Sequence, residues 1–386
     1  MRKLFAKIHL WLSIPFGIII AIVCLTGAIL VFETELLQLC YPSRYFVKES
    51  KAEQLPPDVL IREARRQLPD SVRINGIRVY PDPARTYQLV LPGKKAAAFI
   101  NPYTAEITGI DDGQGFFMQM MRLHRWLLGE FKRDGSFSWG KAAVGYSTLA
   151  LAIILISGLV IWFPRNKKVL KNRLKIKTKS GAYRFLYDLH VSGGFYVTLL
   201  LLVMTLTGLT WSFGWYRNGF YALFGVETKQ TEAHAPTPVQ AQAPTSKEKP
   251  QKEAHAHASE GKGKGKGGRH GRTDYTQWAE VLSALQARYP DYNSMTLQDG
   301  SVTVSVNNYG NTRGSDRYSF NPATGEITDV QLYKDLPASA KMKGWIYAVH
   351  SGSWGGLATR ILSCLACFLG TVFALTGYYF WIKKKC

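Results

Sequence analysis

The chain has 386 residues, 46% of them hydrophobic, and a formal net charge of +21 from 48 Lys and Arg against 27 Asp and Glu. Its mean hydropathy of -0.08 averages strongly apolar runs with strongly polar ones, so the value does not describe a soluble chain. The basic residues gather in short loops beside those runs rather than on a soluble basic module, which excludes a nucleic-acid partner and leaves membrane lipid as what they face.

Four runs, at about 10–32, 142–163, 191–213 and 357–382, are long and apolar enough to span a bilayer. The first continues into Phe32-Glu33-Thr34-Glu35 with no small-residue cleavage site, so it reads as a retained span rather than a signal peptide. In chain order the predicted parts are span one (1–33), an outer segment (34–115), an interfacial helix with span two (116–164), a basic loop (165–187), span three (188–214), a second outer segment (215–337), and an interfacial helix, span four and tail (338–386). Arg2, Lys3 and Lys7, the loop from Arg165 to Arg184 with nine basic and no acidic residues, and Lys383-Lys384-Lys385 all fall on one side. The excess of positive charge makes that side cytoplasmic, with both termini on it.

Each outer segment opens with an amphipathic helix, Pro57–Leu68 and then Asp274–Tyr289, followed by strand-like alternation. Each then reaches the same turn, Asn-Pro-Tyr-Thr-Ala-Glu-Ile-Thr at 101–108 and Asn-Pro-Ala-Thr-Gly-Glu-Ile-Thr at 321–328, six of eight residues identical. After each turn comes a helical stretch carrying a His, Phe116–Leu128 and Ala338–His350, and then the next span. The chain therefore reads as a two-span unit present twice in the same orientation. Residues 228–273, which include GKGKGKGG, read as a disordered linker, and His234, His255, His257 and His270 lie in it.

The remaining four histidines occur once per membrane element. His9 and His190 fall at the inner surface; His124 and His350 fall at the outer one. Ionisable residues at membrane depth are costly and mark function. Two facing imidazoles suit six-coordinate haem iron in an electron-transfer site. Zinc would want further Cys, Asp or Glu ligands at close spacing, and none is present. No Cys-x-x-Cys-His stretch exists, so covalent haem attachment is excluded. His9 to Gly27 and His190 to Gly208 are both eighteen residues, five helical turns, so His and Gly share a face about 27 Å apart. Gly27 and Gly208 would leave room for an outer haem, Gly158 and Gly377 for an inner one. Arg122, Arg125, Arg184 and Arg360 would pair with its propionates. Cys364-x-x-Cys367 lies inside a span and reads as small apolar residues. No nucleophile or acid/base pair is visible, so no catalytic residue is assigned.

The His-led spans ending in Thr-Gly, the Asn-Pro-x-Thr-x-Glu-Ile turns and Leu-His-Arg-Trp-Leu at 123–127 resemble the PepSY-associated transmembrane proteins, bacterial iron-regulated inner-membrane proteins that include ferric-siderophore reductases. The likeness covers nearly the whole chain outside the linker; Ser-Gly in place of Thr-Gly at 157–158 is a departure. It implies a membrane α-helical fold of four spans with two periplasmic α+β PepSY-like domains. It also implies two b-type haems with bis-His ligation by His9, His190, His124 and His350. The expected function is an inner-membrane electron conduit reducing a ferric siderophore or other ferric chelate, fed by a cytoplasmic protein or a quinol. Two alternatives stand beside it: a non-redox protein binding a peptidase or partner through its PepSY-like domains, and a quinol-linked cytochrome b with another acceptor.

Overall fold

A computed structural model describes residues 1–48, 53–93, 95–129, 136–164, 166–227, 275–306 and 310–385. The linker read at 228–273 falls outside the described residues, as do Arg165 and Cys386.

Before the second span come α1 (Arg2–Val31), α2 (Glu33–Cys40), α3 (Pro42–Tyr45), α4 (Pro57–Gln67) and α5 (Phe116–Trp126). Next are α6 (Trp139–Trp162), α7 (Lys167–Arg173), α8 (Ala182–Asp188), α9 (Gly194–Ser212) and α10 (Gly214–Leu223). The second half adds α11 (Trp278–Arg288), α12 (Ala338–Ser351) and α13 (Gly356–Lys385). Among the described residues, four stretches are long and apolar enough to cross a membrane: Arg2–Val31, Trp139–Trp162, Ala182–Ser212 and Ser353–Lys384. The third is not one regular helix, because Leu189–Gly193 form a π turn between α8 and α9. The strict eighteen-residue phase expected from His190 to Gly208 is therefore broken near its start, whereas α1 carries His9 and Gly27 on one continuous α-helix.

The spans pack through small residues, the usual solution where lipid supplies no hydrophobic drive between helices. Gly17 lies against the Tyr378 ring, and the Tyr378 hydroxyl donates to the Ile14 carbonyl at 2.5 Å. Trp162 stacks on Phe195 with ring centroids 3.7 Å apart, joining α6 to α9.

Eight strands form a single antiparallel sheet: β1 (Gly76–Val79), β2 (Tyr87–Val90), β3 (Ala97–Ile100), β4 (Ile107–Asp111), β5 (Ser294–Gln298), β6 (Ser301–Ser305), β7 (Ser315–Phe320) and β8 (Ile327–Gln331). Their order is β4-β3-β2-β1-β5-β6-β7-β8. The two sheet-forming segments thus meet edge to edge through β1 and β5, with Ile77 opposite Leu297 and Arg78 opposite Thr296. Alternation sends Ile77, Val79, Leu89, Ile100, Met295, Leu297, Val302, Val304, Tyr318 and Phe320 to one face, which α4 and α11 cover with Leu60, Ile61, Trp278 and Leu282. The other face carries a cross-strand row of Gln88, Arg78, Thr296, Thr303 and Arg317.

The repeated eight-residue turn has a structural task. Asn101 Oδ1 accepts from the Tyr103 N–H at 2.9 Å, and Asn321 Oδ1 accepts from Ala323 N–H at 3.0 Å. The residue closing each turn, Ala105 or Gly325, has a positive φ of 58° or 73° and donates back to the Asn carbonyl. That conformation suits Gly and is strained for Ala. Both hairpin tips reach back to the helices. Lys95, between β2 and β3, pairs with Glu33 of α2, and Thr312, between β6 and β7, bonds Ser353 beside α13 at 2.9 Å.

Candidate functional site

The four histidines outside the linker each meet a hydroxyl through Nδ1, and His9, His124 and His350 meet a carbonyl as well. His124 on α5 donates from Nδ1 to the Val23 carbonyl of α1 at 2.9 Å, and Thr26 Oγ1 lies 3.2 Å from the same nitrogen. His350 on α12 repeats this against α9, with the Met204 carbonyl at 2.9 Å and Thr207 Oγ1 at 3.2 Å. His9 on α1 does so against α6, with the Ile154 carbonyl at 3.0 Å and Ser157 Oγ at 3.2 Å. His190, in the π turn, meets Thr376 Oγ1 of α13 at 2.9 Å. Each hydroxyl spends its own proton on its helix: Thr26 donates to Ile22, Ser157 to Ile154, Thr207 to Val203 and Thr376 to Val372. Its lone pair is what faces the imidazole.

A carbonyl oxygen only accepts, so Nδ1 carries the proton in His9, His124 and His350; the donating Thr376 hydroxyl assigns it likewise in His190. Among the described residues, hydrogen bonds reach these rings through Nδ1 alone. Nε2 is left as an unprotonated donor atom, the state in which imidazole binds a metal, with the Nδ1 bond fixing ring orientation.

The glycine after each hydroxyl completes the seat. A Cβ on Gly27 would lie 3.2 Å from His124 Cε1, one on Gly158 3.2 Å from His9 Cε1, and one on Gly208 3.1 Å from His350 Cε1. At Gly377 the distance to His190 Cε1 is a looser 3.8 Å. At each of these glycines the edge of an imidazole from another helix lies close by, a neighbour that spacing along one helix does not reveal. The hydroxyls of Thr26, Ser157, Thr207 and Thr376 were missed as site residues, although the hydroxyl-Gly pairs that signal them stand in the sequence.

The structure brings His124 and His350 together, with ring centroids 6.2 Å apart and planes at 63°. Trp211 meets His350 edge-on at 5.0 Å. The His190 ring lies against Phe373 at 5.7 Å and Phe380 at 5.9 Å. Along α1 the two pairs are separated by the fourteen residues from His9 to Val23, about 21 Å. Metal–nitrogen bonds of about 2 Å to two opposed imidazoles place their ring centres about 6 Å apart. The sheet-side pair has that separation. No group of three or more His, Cys, Asp or Glu suited to a metal exists among the described residues. A two-imidazole donor set fits an iron whose other four positions come from a macrocycle, so the residues present fit haem.

The four arginines divide. Arg360 pairs with Glu35 and donates to the Val31 carbonyl at 2.6 Å, and Arg184 pairs with Asp188 at 2.9 Å. Arg122 caps its own helix end at the Leu128 carbonyl, 3.1 Å away. Arg125 is exposed and lies over the Trp126 ring at 4.7 Å. Cys24, Cys364 and Cys367 are free thiols in the spans, and Cys367 Sγ lies 3.9 Å from Met204 Sδ.

The family model described as PepSY-associated TM region matches residues 6–384. No curated protein matches the chain. With nearly its full length matched, the chain belongs to the PepSY-associated TM family and is a multi-pass membrane protein with four apolar helices.

Proposed function

We propose that this member of the PepSY-associated TM family is a di-haem electron conduit that reduces ferric chelates in bacterial iron uptake. The observation that carries the proposal is the His124–His350 pair, protonated at Nδ1, open at Nε2 and spaced for one iron between the rings. His9 and His190 would hold the second haem at the far end of the bundle. Haem supplies one-electron transfer, and bis-His ligation leaves no open position for O₂.

The chain's own residues supply the rest. The carbonyls of Val23, Met204 and Ile154 pull on the Nδ1 protons, which raises ligand basicity and fixes each ring. The apolar spans exclude water from both levels. Arg125, over the Trp126 ring, would receive a propionate. In this reading the two halves derive from a duplicated unit, the sheet stands on the periplasmic side, and both termini are cytoplasmic. A ferric siderophore or other chelate would accept the electron beneath the sheet; reduction to Fe(II) loosens hard oxygen ligands and releases the metal.

A pyridine haemochrome assay is expected to give two non-covalent haems per chain. His124→Ala or His350→Ala should remove one, and His9→Ala or His190→Ala the other. A haem-free protein after expression with adequate haem would sink the conduit and leave the sheet as a partner-binding module. Stopped-flow oxidation of the dithionite-reduced protein tests the acceptor, with acceleration expected from ferric siderophores.

A further inference from the structure

We propose that the cleft bounded by Tyr183, Tyr187, Phe380, Lys383 and Lys384 is a quinol site that feeds the His9–His190 pair; this rests on the conduit reading. The cleft has a volume of about 450 Å³ and lies between α8 and the end of α13. Tyr183 and Tyr187 both meet Phe380 edge-on, with centroids 5.6 and 6.0 Å away. Lys383 Nζ stands 5.6 Å from the Tyr183 ring and 5.5 Å from Tyr379. Phe380 lines the cleft and also meets the His190 ring at 5.9 Å. A single aromatic side chain thus separates the cleft from a candidate iron ligand.

The lining selects a chemistry. Aromatic edges favour a flat ring, and two ammonium groups with no carboxylate among the lining residues favour oxygen atoms bearing negative charge at its rim. A dihydroxy-aromatic ring has that shape. Exposed Tyr379 and Ile382 beside the cleft leave an apolar route for a lipid tail. A cation next to a quinol hydroxyl lowers its pKa and favours the quinolate, the more easily oxidised form. The balance would close with the conduit's haems as oxidant: one quinol would become one quinone, giving up two electrons one at a time, and its two protons would leave to water past Lys383 and Lys384.

The test uses the full chain in neutral phosphatidylcholine nanodiscs. Titration with decylubiquinone is read by tryptophan fluorescence quenching, and decylubiquinol-driven haem reduction by stopped flow. Wild type is expected to quench saturably and to be reduced by decylubiquinol. Lys383→Gln and Tyr187→Leu, both exposed and spared the packing on His190, should weaken binding and slow reduction by about tenfold each. Dithionite should still reduce both haems in either variant. Unsaturable quenching in the wild type, or variants that match it in both assays, overturns the quinol site. Absence of any haem band with dithionite sinks the conduit instead, and the quenching titration still decides whether the cleft binds a quinone.

Discussion

An imidazole seated by a carbonyl, a hydroxyl and a glycine has three separate supports, and the four seats differ in how many they have. His124, His350 and His9 each have a carbonyl and a hydroxyl on Nδ1, whereas Thr376 alone is described for His190. Removing the hydroxyl at Thr26 or Thr207 leaves the shorter bond in place, but Thr376→Val leaves the His190 N–H without its acceptor. Thr376→Val should therefore cost about 1–3 kcal/mol and Thr207→Val about 1 kcal/mol or less, read as thermal unfolding of the detergent-solubilised protein; equal losses would contradict this ranking. Steric supports give a second series. Ala at Gly27, Gly158 or Gly208 forces the ring to yield, at about 1–3 kcal/mol for overpacking, while Gly377→Ala at 3.8 Å is ordinary contact and should be neutral. On the conduit reading, haem content should fall in the first three variants and hold in the fourth. The histidines and the hydroxyl-Gly pairs were legible in the sequence as a recurrent pattern. Their mutual fit was not, since spacing along one helix carries no term for the ring that a neighbouring helix inserts.

Between elements, one polar tie joins α1 and α2 to α13. Arg360 donates to both Glu35 oxygens and to the carbonyl that ends α1, so the start of the fourth span is fastened where the first one stops. The Arg360 hydrogen bonds hold the Glu35 carboxyl below its ordinary pKa, although burial pushes the other way. A lowered folded-state pKa means stability that is present above the unfolded value, about 4.3 for Glu, and is lost as pH falls through the folded one. The pair is partly exposed, with side chains 21% and 47% accessible, so its contribution is about 1 kcal/mol at most. Wild type should unfold at higher temperature than Glu35→Gln at pH 7, and the two melting curves should converge as pH falls below the lowered folded-state pKa of Glu35. A gap that persists in acid would mean that Glu35 acts by packing. Spans, amphipathic helices and Asn-Pro turns were readable at this scale because bilayer thickness, helical period and Asx chemistry each leave a mark in composition. The π turn at Leu189–Gly193 left none, since its residues differ little from those of a regular span.

Across the whole molecule, the β1–β5 seam and the His124–His350 pair each draw on both halves of the chain. The seam is central to the sheet, and Arg78 Nε donates across it to Thr296 Oγ1 at 3.0 Å. Nothing in the sequence announces it, because an edge strand and an internal strand alternate alike, and the partner is chosen by which edges the helices bring together. The register permits a direct probe. A Cβ on Gly76 would stand 2.3 Å from the Leu297 carbonyl oxygen, a backbone atom that cannot rotate away. Gly76→Ala must therefore part the strands locally, at a cost of about 1–3 kcal/mol or more. The hairpin tips tie each half of the sheet to its own helices, so parting the seam should loosen α5 against α12 while leaving His9 and His190, at the other end of the spans, undisturbed. Hydrogen exchange read by mass spectrometry should rise in β1, β5 and the segments around His124 and His350, with no change around residues 9 and 190. Exchange that rises in β1 and β5 alone would show that the sheet-side pair is fixed by the helix seats, and that the seam plays no part in holding the two imidazoles at one iron's distance.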